Sequence, residues 1–256
     1  MHASQAILAI ETSGKSGSVA ILRNDRSQVV CNMIQLAPDL GSAKTLAPGI
    51  QRLLSEQHVE IGSLSAIALL TGPGSFTGLR VGVATAKAMA YALKIPTIEI
   101  DTLDAIALQC PVYSDSVYAI LDAYRGQVFC AEYTTGGATP NSRLKRFSQT
   151  EILDIEVLLA RTKNGGDPNG IIDLCGPGCD RIRKFLATSN DGQSALGLDF
   201  AKQIRWIDGE VVVPHAESVA RLGYVKWLAG EVLDPFVLQP QYYRVSAAEE
   251  VAARTK

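Results

Sequence analysis

The sequence has no long apolar run, no surplus of positive charge and few histidines. No window reaches the ~18 uninterrupted apolar residues that a membrane-spanning helix needs, and the N-terminal residues lack the basic segment of a secretory signal. The 24 Lys and Arg residues nearly balance the 26 Asp and Glu residues. A protein that grips nucleic acid unaided usually carries a basic surplus, so we expect contact with RNA only through a partner. The composition predicts a cytoplasmic protein with no membrane segment.

The five cysteines and three histidines are scattered along the chain. Cys175 and Cys179 are separated by Gly-Pro-Gly, which is the spacing of neither a redox pair nor a zinc knuckle. Free, buried thiols are therefore the expectation. The three histidines are His2, His58 and His215, and they form no His-x-x-x-His pair. The sequence therefore predicts no metal site and no catalytic metal chemistry.

The 256 residues repeat one pattern of elements. The strand-like segment 7–11 ends in Glu11, turns through glycine and returns, and the segment 118–122 does the same after Asp122. Each hairpin is followed by a third strand, a helix, a strand and a helix. A pattern repeated after about a hundred residues indicates duplication. We therefore predict an α/β fold of two lobes, residues 1–113 and 114–256.

The segment 71–80, Thr-Gly-Pro-Gly-Ser-Phe-Thr-Gly-Leu-Arg, joins a buried strand to a helix. A strand that turns through glycines into a helix leaves backbone N–H groups free, and such groups favour anions. The segment is not a Walker loop, because no Gly-Lys-Ser/Thr follows, and Ser75 lacks the frame of a nucleophile elbow. Arg80, at the start of the helix, is the cation placed best to join a partner to a phosphate ligand.

The helix after this loop carries small residues four apart, which share one face: Gly78, Gly82, Ala86 and Ala90. A glycine inside a helix costs about 1 kcal/mol relative to alanine, so Gly82 requires a packing reason. In one interpretation this strip lies on the protein's own sheet. In the other, it is offered to another subunit. The sequence alone leaves both open.

Three segments together resemble the TsaB (YeaZ) family, namely residues 7–12, the glycine segment 72–82 and the hairpin 121–128. The tail Pro-Gln-Tyr-Tyr-Arg at 240–244 resembles that family's Pro-x-Tyr-x-Arg. The resemblance implies the two-lobed actin-like ATPase (ASKHA) fold, made of two duplicated βββαβα lobes. It also implies a non-catalytic subunit in the formation of N6-threonylcarbamoyladenosine at position 37 of tRNAs that read ANN codons.

The resemblance further implies the partners. A TsaB protein pairs with and activates the paralogous transferase TsaD, aided by the ATPase TsaE, and meets tRNA only through that complex. Some members homodimerise through the same surface when alone. Pairing uses the first two helices, which here correspond to 44–57 and 78–93. The predicted interface residues are Leu46, Ile50, Leu53, Gly78, Gly82, Ala86 and Ala90.

The loops that would lie near a nucleotide are predicted to contain Glu11, Gly74, Ser75, Arg80 and Asp122. We expect no resident cofactor, since the partners use the ATP, although weak nucleotide binding is compatible with the fold. The chain departs from the family in having Glu11 for the usual Asp and no histidine near Ser42. Two alternatives are an actin-fold small-molecule kinase, for which no catalytic base is evident, and a peptidase, for which no Ser/His/Asp or metal constellation is present.

Overall fold

The computed structural model describes residues 5–25, 28–38, 41–111, 116–134, 144–164, 171–188, 203–207 and 212–244. The described chain forms two β-sheets with helices packed on them. The predicted boundary between residues 113 and 114 falls outside the described residues, so the two-domain division stays a prediction.

The first sheet has five strands in the order β3-β2-β1-β4-β5. β1, β2 and β3 are antiparallel, and Glu11 at the end of β1 pairs with Ser18 at the start of β2. β4 and β5 join in parallel through helical crossovers. The elements are β1 (Gln5–Glu11), β2 (Ser18–Asp25), β3 (Gln28–Gln35), α1 (Ser42–Glu56), β4 (Leu64–Gly72), α2 (Phe76–Leu93) and β5 (Thr97–Asp101), followed by α3 (Thr102–Ala107).

The second sheet repeats this plan, with β6, β7 and β10 in the places of β1, β2 and β4. The elements are β6 (Ser116–Asp122), β7 (Gln127–Thr134), β8 (Lys145–Arg146), β9 (Glu151–Asp154), α4 (Ile155–Asn164), β10 (Ile172–Cys175), α5 (Cys179–Thr188), β11 (Ile204–Ile207) and α6 (Ala216–Leu228). β6 is antiparallel to β7 and parallel to β10, as β1 is to β2 and β4. The predicted duplication of βββαβα lobes is confirmed.

The helices pack on both faces of each sheet because alternate residues of the central strands are apolar on both sides. In the first lobe α1 and α2 cover one face, and α6 covers the other. α3, which follows the last strand of the first lobe, packs on both sheets, with most of its buried residues on the second. The lobes are therefore tied together by two helices, since α3 bridges the sheets and α6 packs on the sheet of the first lobe.

One element of the second lobe lies outside the repeated pattern. Glu151–Asp154 forms β9, and the helix that follows begins only at Ile155. β9 pairs antiparallel with β7 over four residue pairs, from Gln127 with Asp154 to Cys130 with Glu151. Pairing with a neighbouring strand outweighed local helical spacing, which is a tertiary effect that periodicity does not contain.

Candidate functional site

A cleft of about 690 Å³ lies between the two lobes. Four segments form most of its wall, namely the turn at 13–15 after β1, the glycine loop at 73–76, the hairpin at 121–124 and the tail at 241–244. Of the five residues predicted to lie near a nucleotide, Gly74, Ser75 and Asp122 line the cleft. Glu11, at the end of β1, and Arg80, in the first turns of α2, are close to these segments in sequence but do not line the cleft.

The glycine loop is fixed by contacts on both of its sides. Gly72 has a φ of 139°, and a Cβ at this position would lie 2.6 Å from the carbonyl oxygen of Gln241, so only glycine fits. The backbone N–H of Ser75 donates to Ser13 O at 2.8 Å. The Ser75 hydroxyl accepts from the backbone N–H of Gly78 at 3.2 Å, which makes Ser75 the N-cap of α2. The loop therefore presents a rigid wall to the cleft.

The two hairpin acids cap their own turns. Glu11 Oε1 accepts hydrogen bonds from the Ser13 backbone N–H at 2.6 Å, the Ser13 hydroxyl at 2.8 Å and the Gly14 N–H at 3.2 Å. On the other hairpin, Asp122 Oδ1 accepts from the Tyr124 N–H at 2.7 Å. These contacts give both acids the role of capping their own turns.

Glu11 is nevertheless an unusual turn residue, because its side chain is buried. Burial raises the pKa of this carboxyl from 4.5 to about 7, and the hydrogen bonds from Ser13 and Gly14 offset only part of that effect. Its second oxygen, Oε2, has no hydrogen-bond partner among the described residues. A buried carboxylate with one unpaired oxygen is costly when charged, so the protein favours the neutral form.

Arg80 lies outside the cleft in an aromatic stack. Its guanidinium carbon is 3.8 Å from the centre of the Phe76 ring, and its Nε donates to the Tyr242 hydroxyl at 2.9 Å. The Phe76 and Tyr242 rings are themselves 4.7 Å apart. Arg80 therefore joins the start of α2 to the tail, and the cations that line the cleft are Lys15 and Arg244.

The tail is the main feature that the sequence did not predict in structural terms. It runs along the first lobe, where Leu238 is buried in the core and the Gln241 N–H donates to Thr71 O at 2.8 Å. It then reaches the second lobe, where Arg244 Nη1 donates to Ala123 O at 2.8 Å. The family-like Pro-x-Tyr-x-Arg was the available signal, and its structural role is to strap the two lobes together across the cleft.

A polar network lies beneath this strap. Asp101 Oδ2 accepts from the Tyr243 hydroxyl at 3.0 Å and from the Thr150 hydroxyl at 2.8 Å. Arg146 of the second lobe lies 3.2 Å from Asp101 and 2.8 Å from Asp104. Since the acids belong to the first lobe, this network holds the lobes together by charge-assisted hydrogen bonds.

The small-residue strip of α2 faces the protein's own sheet. Gly78, Gly82, Ala86 and Ala90 are all buried. A Cβ at Gly78 would lie 2.0 Å from the Thr12 carbonyl oxygen, and one at Gly82 would lie 2.4 Å from the Thr12 hydroxyl. The prediction that this strip is a partner interface is wrong, because the glycines serve the close approach of α2 to the end of β1.

The same correction applies to the three leucine and isoleucine positions of α1 that were predicted to contact a partner. They are buried in the core between the helices and the first sheet: Leu46, Ile50 and Leu53. Apolar residues at helical spacing have here their usual role of covering the protein's own sheet.

The residues that α1 and α2 expose to solvent are not the predicted interface residues. α1 packs against α2, so the two helices form one continuous surface. On α2 this surface carries small side chains that are exposed, and on α1 it carries small and polar ones: Ala84, Ala88, Ala92, Ala47, Gln51 and Ser55. This helix-pair surface, as we call it, would allow another pair of helices to approach closely.

No helix in the described ranges is long and apolar enough to cross a membrane. No cluster of three or more His, Cys, Asp or Glu side chains in the same ranges has an arrangement that could hold a metal ion.

Comparison with known proteins places the chain beside proteins of tRNA modification. The model of the family "TsaD: tRNA N6-adenosine threonylcarbamoyltransferase" matches residues 41–157. The chain is 28% identical to the Escherichia coli tRNA threonylcarbamoyladenosine biosynthesis protein TsaB, over 94% of this chain and 96% of that protein. It is 22% identical to the Haemophilus influenzae protein of the same name, over 93% of both. A Bacillus subtilis TsaB is 35% identical over 127 residues, which are 50% of this chain and 54% of that protein.

Among solved structures, YeaZ from Pseudomonas aeruginosa superposes with a TM-score of 0.69 at 22% identity, over 93% of this chain and 99% of that one. This likeness concerns the fold. With the duplicated topology, it confirms the two-lobed actin-like architecture that the sequence predicted.

Proposed function

Because this chain belongs to the TsaB (YeaZ) family, we propose that it acts in the biosynthesis of N6-threonylcarbamoyladenosine in tRNA. The support is similarity over more than nine tenths of the chain to proteins that carry this name. In its finer form, the proposal is a subunit without chemistry of its own, which pairs with a TsaD-type transferase and activates it for position 37 of ANN-decoding tRNAs. Such a role places the protein in the cytoplasm.

The non-catalytic part of the proposal draws support from the cleft. Glu11 and Asp122 are engaged in their own turns, and Glu11 is in addition buried, which raises the pKa of its carboxyl to about 7. The tail at 241–244 forms part of the cleft wall and is hydrogen-bonded to both lobes. An active transferase or kinase of this fold would need its acids and its cleft available to the reacting groups.

The pairing part rests on one observation, the helix-pair surface. Exposed small residues at Ala84 and Ala88 leave α2 smooth on the side that faces away from the sheet. Helices with small residues at the contact pack closely by the ordinary geometry of ridges and grooves. This surface replaces the buried strip as the proposed contact with the TsaD-type partner. A TsaE-type ATPase and tRNA would join through that complex.

The experiment that tests pairing titrates this protein with the TsaD-type protein of the same genome and measures the mass of the complex by size exclusion and light scattering. We expect a stoichiometric heterocomplex that Ala88→Glu abolishes, because a charged side chain would be placed in the contact. Ala187→Glu is the matched control, since Ala187 is an exposed helical alanine on the second lobe. Equal loss with both variants, or a complex that tolerates Ala88→Glu, would refute this surface.

Homodimerisation is measured in the same way, from the mass of the protein in the absence of the partner. If the helix-pair surface is used, a homodimer should dissociate in Ala88→Glu and compete with the heterocomplex. Arg80→Ala adds a second test, because Arg80 lies at the start of α2 beside the tail. We expect it to weaken the complex or the modification reaction without unfolding the protein.

An actin-fold small-molecule kinase is the second candidate. The observation that favours it is the cleft of about 690 Å³ between the lobes, with Lys15 and Arg244 in its wall. Saturable ATP binding by the isolated protein, lost in Lys15→Ala, would support that alternative. We expect at most weak binding, since no resident cofactor is part of the proposal.

A further inference from the structure

Two of the five cysteines are joined across the junction of the lobes. Cys110 follows α3, the helix that leaves the first lobe, and Cys175 ends β10 of the second sheet. The structure has them disulfide-bonded, with Cα atoms 6.6 Å apart and 65 residues between them in sequence. The expectation that all five thiols are free is therefore wrong for this pair, because residues far apart in sequence are brought together by the packing of α3 on the second sheet.

The bond lies in a tightly packed region. Both cysteines are buried, together with Ile106 of α3 and Ile207 of β11, in the core on one side of the second sheet. A Cβ at Gly176, the residue after Cys175, would lie 2.9 Å from the Ile106 side chain. Because α3 and β10 are already in close contact here, the two sulfur atoms meet without any large movement of the backbone.

The other three cysteines, Cys31, Cys130 and Cys179, are free thiols. Cys31 is half-buried on β3, where burial raises the pKa of its thiol to about 11. Cys130 and Cys179 are buried in the core on the opposite side of the second sheet. Burial also raises the pKa of the Cys179 thiol, to about 12. A thiol held in its neutral form is a poor nucleophile, so burial helps to keep these three thiols free.

We propose that Cys110 and Cys175 form a reversible dithiol–disulfide switch, and that the bond sets how firmly α3 is held on the second sheet. In the reduced form the Cys110 thiol can donate a hydrogen bond to Ile106 O, which lies 3.7 Å from its sulfur. The junction can therefore exist with or without the covalent bond. This inference rests on the geometry of the lobe junction and not on the role in tRNA modification.

The oxidant is a low-molecular-weight disulfide such as glutathione disulfide. The Cys110 thiolate, which is the less deeply buried of the two, attacks one sulfur of the oxidant and releases one glutathione thiolate. The Cys175 thiolate then attacks the Cys110 sulfur of the mixed disulfide and releases the second glutathione. Two protein thiols become one disulfide while one glutathione disulfide becomes two thiols, and a dithiol reductant reverses both steps.

The direct test is peptide mapping of the wild-type protein. The full chain is incubated with glutathione disulfide or with dithiothreitol, denatured in iodoacetamide, digested without reduction and analysed by mass spectrometry. We expect a peptide pair linked through Cys110 and Cys175 after oxidation, with the other three cysteines alkylated, and five alkylated cysteines after reduction. Five alkylated cysteines in the oxidised sample, or a dominant link that involves Cys31, Cys130 or Cys179, would overturn the proposal.

The consequence for the fold is tested by thermal unfolding of the two forms. A disulfide that closes a loop of this length raises the melting temperature of a protein of this size by about 5–10 °C. The difference between oxidised and reduced samples should vanish in Cys110→Ser and equally in Cys175→Ser, and persist in Cys31→Ser. A difference that survives in either of the first two variants would contradict the assignment. Should those variants not fold, the peptide map of the wild-type chain decides alone.

Discussion

The buried carboxyl of Glu11 makes a definite prediction about pH. We consider the variant Glu11→Gln, which keeps an acceptor oxygen for the Ser13 and Gly14 N–H groups and removes the titrating group. In the folded wild type the pKa is raised to about 7 from 4.5. Between these two values the unfolded chain has lost the proton that the folded chain still holds. Stability is therefore fully present below about pH 4.5 and falls as the pH rises through 7.

The magnitude follows from the two pKa values. A pKa difference of one corresponds to about 1.4 kcal/mol, so the full loss due to Glu11 is about 3 kcal/mol, and most of it falls between pH 5 and pH 8. The Gln variant lacks this loss. The free energy of unfolding of the variant, minus that of the wild type, should rise by about 2–3 kcal/mol over that range, because all other titrating groups are common to both proteins.

Urea unfolding followed by circular dichroism at pH 5, 6, 7 and 8 measures this difference. Asp122→Asn is the matched control, since it changes the acid at the equivalent end of β6 and leaves Glu11 in place. The control should retain the wild-type dependence on pH. Parallel curves for wild type and Glu11→Gln would show that the carboxyl is already ionised in the fold, and would refute the argument from burial.

Two further substitutions test the packing at the lobe ends. Gly78→Ala puts a Cβ 2.0 Å from the Thr12 carbonyl oxygen. We therefore expect the free energy of unfolding in urea to fall by about 1–3 kcal/mol, despite the gain in helix propensity. The control Ala84→Ser, on the exposed face of α2, should change it by no more than about 0.5 kcal/mol. An unchanged stability for Gly78→Ala would mean that α2 does not lie so close to β1. Arg244→Ala removes hydrogen bonds from the strap to the second lobe, and we expect a loss of about 1–2 kcal/mol with faster proteolysis of the tail; Arg52→Ala, at an exposed ion pair, is the control. Equal effects of these two arginine variants would argue against an interlobe strap.

Much of the fold could be predicted from the sequence because the first lobe is locally consistent. β1, β4 and α2 have strand or helix periodicity, and glycine or a capping serine marks their ends. Asp101 caps α3, since its carboxylate accepts from the Leu103 N–H at 2.7 Å. Here local propensity and tertiary packing agree.

The missed features depend on contacts between distant segments. β9 and β11 are each four residues long and exist as strands through pairing with β7 and β10. The strip on α2 illustrates the same limit, because spacing shows that Gly82 shares a face with Ala86 but not whether the sheet or a partner covers that face. The Cys110–Cys175 bond spans 65 residues and depends on α3 crossing to the second lobe.

The candidate site was predicted in part for the same reason. Gly74, Ser75 and Asp122 line the cleft, as the turn chemistry indicated. The aromatic stack of Arg80 with Tyr242 results from the tail returning to the first lobe, and that return is not visible in local sequence.

We propose that this chain is required for threonylcarbamoylation by a TsaD-type transferase. The most direct measurement reconstitutes the reaction with the threonylcarbamoyl-adenylate synthase, the TsaD-type and TsaE-type proteins and an ANN-decoding tRNA, and quantifies N6-threonylcarbamoyladenosine by mass spectrometry of the digested nucleosides. We predict that the modified nucleoside falls to background when this protein is omitted or replaced by Ala88→Glu, and returns with Ala187→Glu. Full modification in the absence of this protein would contradict the account.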